Sequence, residues 1–148
     1  MKFIILGSGS SMGVPRADGF FGNCNPNNSK NYRTRCSALI KGKDKNILID
    51  TSPDLRSQML KNKIVNIDTV LYTHNHADQT HGINDLRVFS LKNRKKIPIF
   101  ADHNTKKYLL NSFSYCFKKL KDYPPTLKIF DLKKKLNVNK FIKIESVK

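Results

Sequence analysis

A chain of 148 residues with 39% apolar side chains has material for one core and not two, so a single unit over residues 1–148 is expected. No apolar run approaches the roughly 20 residues that span a bilayer. The N-terminus enters a strand pattern, Phe3-Ile4-Ile5-Leu6, without a basic start or a long apolar segment, so the expectation is a cytoplasmic protein with no membrane partner. The net charge of +17 could mean nucleic acid, an acidic membrane surface or a phosphorylated substrate. Its lysines are scattered, however, and basic patches act through clustering, so the excess reads as solvated positions and nucleic acid is not the expected partner. The densest stretches, Lys92 to Lys96 and Lys133 to Lys135, read as solvated faces. Cys24, Cys36 and Cys116 are odd in number and form no Cys-x-x-Cys, which argues for free thiols.

Short β-branched runs alternate with helical patterns, favouring a layered α/β or α+β domain. After the first strand, a loop of small and polar residues runs from Gly7 to Arg16 and continues irregularly to about Lys30; loops of that length in compact domains are usually functional. Ser37 to Lys41 and Asn46 to Asp50 read as antiparallel neighbours joined by Gly42-Lys43-Asp44-Lys45. Thr51-Ser52-Pro53-Asp54 reads as a helix start with Ser52 as N-cap, the helix burying Leu55, Met59 and Leu60. Asp68 to Tyr72 is a further strand. Beyond it, Ile83 to Leu91 reads as a helix, Ile97 to Ala101 as a strand, and Asn104 to Phe113 as a helix capped by Asn104. Leu127 to Phe130 and Phe141 to Ile144 read as two last strands, after a break at Tyr123-Pro124-Pro125.

Three of the four histidines fall in His74-Asn75-His76-Ala77-Asp78-Gln79-Thr80-His81, immediately after the Asp68 to Tyr72 strand. Ligands commonly sit at such a strand's C-terminal edge. Imidazoles and a carboxylate are the donors that bind zinc and similar divalent ions, and alternate residues of an extended loop converge on one point. His74 and His76 can share one ion, and Asp78 can reach a second or bridge. The alternative is a set of exposed loop histidines with Asp78 capping the following helix. His103, alone at a helix start, reads as a surface or capping residue.

Thr73-His74-Asn75-His76-Ala77-Asp78, between a strand and a helix, resembles the His-x-His-x-Asp-His signature of metallo-β-lactamase-fold hydrolases. The segments Leu6 to Pro15, Ile47-Leu48-Ile49-Asp50-Thr51 and His81-Gly82-Ile83-Asn84-Asp85-Leu86-Arg87 resemble the branch of phosphoribosyl 1,2-cyclic phosphate phosphodiesterases. So do Gly22-Asn23-Cys24, Ser114-Tyr115-Cys116-Phe117 and Tyr123-Pro124-Pro125. The resemblance implies an α+β fold, the N-terminal half of an αββα sandwich with a mixed sheet and flanking helices. It implies one or two divalent ions, zinc or manganese, held by His74, His76 and Asp78, with Asp78 also holding or deprotonating the attacking water.

In the same reading Asp50 braces the histidine loop, Gln79 stands where the family has a second-site histidine, and His81 supports the site or faces substrate. The Gly7 to Gly13 loop and Arg33, Arg35 and Arg87 are candidates for anion binding, with a purely structural role as the alternative for each. The family's remaining ligands come from a second half, so the chain is expected to be incomplete at its C-terminus. Three functional classes follow: a phosphodiesterase acting on a small cyclic phosphodiester; a catalytically inactive remnant or half-domain that dimerises or needs a complementing C-terminal chain; and a tRNA-processing type of nuclease.

Overall fold

The computed structural model describes residues 1–121, 123–138 and 142–145. Six strands form one mixed sheet in sequential order: β1 (Lys2–Gly7), β2 (Ser37–Lys41), β3 (Asn46–Ile49), β4 (Thr69–Leu71), β5 (Ile97–Ala101) and β6 (Leu127–Asp131). β1, β2 and β3 are antiparallel neighbours, whereas β3 to β6 run parallel. Parallel neighbours need crossover connections, and those connections carry the helices. α1 (Leu55–Lys61) links β3 to β4. α2 (Ala77–Thr80), a 3-10 turn (Ile83–Leu86) and α3 (Arg87–Lys92) link β4 to β5. α4 (His103–Ser112) and α5 (Ser114–Phe117) link β5 to β6. A separate antiparallel ribbon, β7 (Lys135–Asn137) and β8 (Lys143–Glu145), follows.

The period of two along each strand sorts side chains onto two faces. Leu39, Leu48, Val70 and Ile99 meet Leu55, Leu86 and Leu109 from the helices, all fully buried. On the other face the register aligns Ile5, Ala38, Ile49, Leu71, Phe100 and Phe130 in one row across all six strands. The β7–β8 ribbon covers the middle of that face, where Ile47, Leu71 and Ile142 form a second core with Phe100, Leu136 and Ile144. Phe3 and Ile5 on β1 stay 63% and 68% exposed. The layers are therefore helix, sheet and a small second sheet, which is the expected α+β arrangement of a mixed sheet with flanking helices.

Several boundaries differ from the sequence reading for local reasons. α1 starts at Leu55, not at Pro53, because Ser52 Oγ accepts from the Asp54 amide in a preceding turn and the Asp54 carboxylate is drawn to Arg35. Leu60 is exposed, and Gln58 takes the buried place instead: its amide donates to the Arg35 carbonyl and to Thr34 Oγ1. The Ile83 to Leu91 helix divides into the 3-10 turn and α3. α4 is capped by Asp102, which accepts from the Asn104 and Thr105 amides, and not by Asn104. β8 covers only Lys143–Glu145; Phe141 lies outside the described residues. The lysines at 92, 95, 96 and 133–135 are exposed and the three cysteines are unpaired, as expected. No helix among the described residues is long and apolar enough to cross a membrane.

Gly82 closes the crossover against the β3 end. A Cβ there would stand 2.0 Å from the Ser52 carbonyl oxygen, and backbone on both sides cannot yield cheaply. Gly82→Ala is expected to cost about 1–3 kcal/mol in urea unfolding, the range for overpacking; an unchanged midpoint would show that the two segments separate freely. The Arg35–Asp54 pair, 2.7 Å apart with Arg35 Nε and the Arg35 amide also on the carboxylate, holds Asp54 below the usual carboxylate range, chiefly through the guanidinium bonds. A carboxylate depressed in the folded state adds stability above its unfolded pKa and loses it as pH falls through the folded one. Wild type should therefore lose more stability than Asp54→Asn between about pH 5 and about pH 2, read from denaturant midpoints; equal losses would contradict the assignment.

Candidate metal-binding site

Because β3 and β4 are parallel neighbours with Ile49 beside Leu71, their C-terminal ends deliver Asp50 and Thr73 side by side. Asp50 leaves the strand at φ 60°, a left-handed conformation that aspartate tolerates better than most residues. Its amide donates to the Leu71 carbonyl. Its buried carboxylate accepts twice from Thr73: the amide on Oδ1 at 2.8 Å and the hydroxyl on Oδ2 at 2.7 Å. Burial pushes the Asp50 carboxyl up, the two Thr73 bonds and nearby His74 pull it back, and Asp78 adds a smaller upward push.

The histidine loop is pinned at its far end as well. The His76 carbonyl accepts from the Gln79 and Thr80 amides and from Thr80 Oγ1, which starts α2. Thr51 clamps the same turn from the β3 side: its amide donates to the Gln79 carbonyl, its hydroxyl to the Gln79 and Thr80 carbonyls. With its single hydrogen used there, Thr51 Oγ1 accepts from the buried Tyr72 hydroxyl at 2.7 Å, whose phenol burial pushes well above its ordinary pKa.

Between these anchors His74 Nε2 and His76 Nδ1 face each other at 3.0 Å, their rings nearly perpendicular with centroids 4.5 Å apart. Nitrogens bound to one tetrahedral zinc at 2.0–2.1 Å lie roughly 3.3 Å apart, so a few tenths of an ångström of opening would seat an ion. The structure leaves Asp78 outside this pair: its Oδ2 accepts from Gln79 Nε2 at 2.9 Å, within electrostatic reach of Arg35 and Asp50. Among the described residues no three His, Cys, Asp or Glu side chains gather closely enough to hold a metal. The residues present therefore fit two corners of a metal centre.

The other sequence-derived residues have definite places. Gln79 is buried, orients the Asp78 carboxylate, and has an Oε1 without a hydrogen-bond partner among the described residues. His81 turns to α4, with Nε2 3.2 Å from the Tyr108 hydroxyl and its ring edge-on to Phe113. His103 is the exposed first residue of α4. Arg35 is committed to Asp54, Arg33 Nε donates to the Lys30 carbonyl, and Arg87 stacks on Tyr123 at 4.1 Å.

Gly7 and Gly9 let the loop run against residues 33–35: added Cβ atoms would stand 2.1 Å from the Arg35 carbonyl oxygen and 2.6 Å from that of Arg33. Their smallness thus has a packing cause without any phosphate. An apolar cleft of about 730 Å³ between α1 and α3 contains none of the histidines. The histidine pair lies elsewhere, on the open edge beyond β4. Thr73 was not singled out from the sequence; its signal was the hydroxyl residue directly before the first histidine.

The chain matches the family described as beta-lactamase superfamily domain over residues 45–147. A crystal structure titled as a new diphosphatase from the PhnP family superposes with a TM-score of 0.79 at 30% identity, over 92% of this chain and 52% of that one. Zinc-bound PqqB from Methylobacterium extorquens (TM-score 0.61, 18% identity, 90% of this chain and 50% of that one) and human tRNase Z, short form (0.58, 16%, 88% and 43%), share the fold. An octanoyltransferase from Porphyromonas gingivalis is 38% identical over 136 residues, 90% of this chain but 27% of that protein. The chain thus spans about half the length of the solved structures and about a quarter of the curated relative. With a matched stretch covering more than half of its residues and a sheet that superposes on metallo-β-lactamase-fold proteins, the chain belongs to the beta-lactamase superfamily domain family.

Proposed function

We propose that this chain carries the histidine-loop half of a metal-dependent hydrolase whose substrate is a small, cyclic phosphodiester. The observation that supports it most is the facing pair of nitrogens, His74 Nε2 and His76 Nδ1, fixed at a strand end by buried carboxylate and hydroxyl anchors. His74 and His76 would hold zinc or manganese, with Asp78 and ligands from a second half completing a one- or two-ion centre. The ion, when bound, supplies Lewis acidity toward the phosphoryl oxygens and lowers the pKa of water. Asp78 would accept the proton of the attacking water, its carboxylate oriented by Gln79 Nε2. The 30% identity to a PhnP-family diphosphatase supports phosphorus chemistry.

A second reading, a half-domain completed by another chain, is favoured by one observation: Phe3 and Ile5 are open to solvent on the face that β7 and β8 leave uncovered. A catalytic zinc site takes three protein ligands, and the described residues gather two.

Zinc titration of the chain, followed by calorimetry, and hydrolysis of a bis-aryl phosphodiester test the proposal. Wild type should bind zinc, His74→Ala should bind at least about tenfold more weakly, and any hydrolysis should vanish with it. Zinc binding or hydrolysis that His74→Ala leaves unchanged would reject the assignment.

A further inference from the structure

Thr73 has one hydroxyl hydrogen and two polar neighbours. Oγ1 lies 2.7 Å from Asp50 Oδ2 and 3.0 Å from His74 Nδ1. A carboxylate has no hydrogen to give, and the same group already accepts the Thr73 amide on its other oxygen. The hydroxyl hydrogen therefore goes to Asp50, and the Thr73 oxygen is left to accept from His74 Nδ1–H. In neutral imidazole a proton on Nδ1 means a bare Nε2. That nitrogen faces His76 at 3.0 Å, so the proton in the gap between the rings belongs to His76 Nδ1.

We infer that Thr73 is a positioning residue that sets the tautomer of His74, through a one-way chain of hydrogen bonds in which His76 donates to His74, His74 to Thr73 and Thr73 to Asp50, so that His74 Nε2 carries no proton and turns its lone pair toward His76, where an ion would take the place of the His76 hydrogen. The inference deepens the proposed metal site and rests on it only for its consequence. The tautomer itself is a property of the chain without metal. It also gives the buried Asp50 a function beyond tying two strand ends together: a carboxylate is the acceptor that fixes the direction of every bond above it.

The direction can be reversed without changing shape. In Asp50→Asn the amide oxygen still accepts the Thr73 amide, and the amide nitrogen now donates to Thr73 Oγ1. The Thr73 hydrogen is then turned toward His74 Nδ1, and the His74 proton moves to Nε2, where an ion would bind. Asparagine is also tolerated at the φ of 60° found there.

The experiment is nitrogen NMR of the histidine side chains in the metal-free chain, at a pH where the imidazoles are neutral, paired with zinc titration. Wild type should show His74 protonated on Nδ1. Asp50→Asn should show it protonated on Nε2 and bind zinc about 10–100-fold more weakly, the usual cost of losing a partner behind a ligand. Thr73→Val should lose the tautomer preference, and Thr73→Ser should restore both preference and affinity. His74 protonated on Nε2 in wild type, or Asp50→Asn leaving the proton on Nδ1, overturns the inference. The predicted tautomers with no zinc binding in wild type would leave the relay standing and sink the proposed metal site, so the two failures are separable. Should Thr73→Val not fold, wild type and the isosteric Asp50→Asn decide the matter alone.

Discussion

The site depends on one buried carboxylate. Asp50 ends β3 and Thr73 follows β4, and the two bonds from Thr73 to Asp50 join the carboxylate to the start of the histidine loop as it leaves the sheet. Hydrogen bonds to a charged group are worth about 1.5–3 kcal/mol each; the two from Thr73 offset part of the cost of taking the carboxylate out of water, and burial still leaves the Asp50 carboxyl raised. Removing the acceptor would leave the Thr73 amide and hydroxyl without it, and the loop would lean on the Thr51 contacts and the strand-end backbone bonds. The left-handed backbone at Asp50 belongs to the same arrangement, since it swings the side chain from the strand toward its parallel neighbour.

The layers explain why this carboxylate is buried while the histidines are reachable. All crossovers lie on the face lined by Leu39, Leu48, Val70 and Ile99, so the core thickens beneath the parallel strands and seals the base of the loop. Beyond β4 the chain emerges at the sheet's edge: His74 is half-buried and His76 exposed, which suits the metal-binding role proposed for them. On the opposite face the β7–β8 ribbon covers only the central columns. The row from Ile5 to Phe130 is apolar across its whole width, and its β1 end is open. A sheet with that pattern on both faces is built to lie between two layers.

Much of this was legible in the residues. Apolar β-branched runs marked β2, β3, β4 and β5 closely, and the clustered histidines marked the loop, because hydrophobic periodicity and ligand chemistry are local signals. What stayed hidden was decided by partners distant in sequence. Asp54 does not cap its helix because Arg35, 19 positions earlier, takes its carboxylate. Gln58 is buried and Leu60 exposed because the carbonyl of Arg35 needs a donor. Gly7 and Gly9 read as an anion loop until the segment at 33–35 is seen lying against them. Thr73 gained its role only once parallel pairing brought Asp50 beside it, and the departure of Asp78 from the imidazole pair follows from its bond to Gln79, which spacing alone does not reveal.

The central claim is that two imidazoles of this loop grip one ion. X-ray absorption at the zinc edge of the chain loaded with one equivalent of zinc tests it most directly. The account predicts two imidazole nitrogens at about 2.0–2.1 Å, with oxygen completing the shell. Sulfur at about 2.3 Å, from the exposed Cys24 or Cys36, or a shell without imidazole scattering, would contradict it.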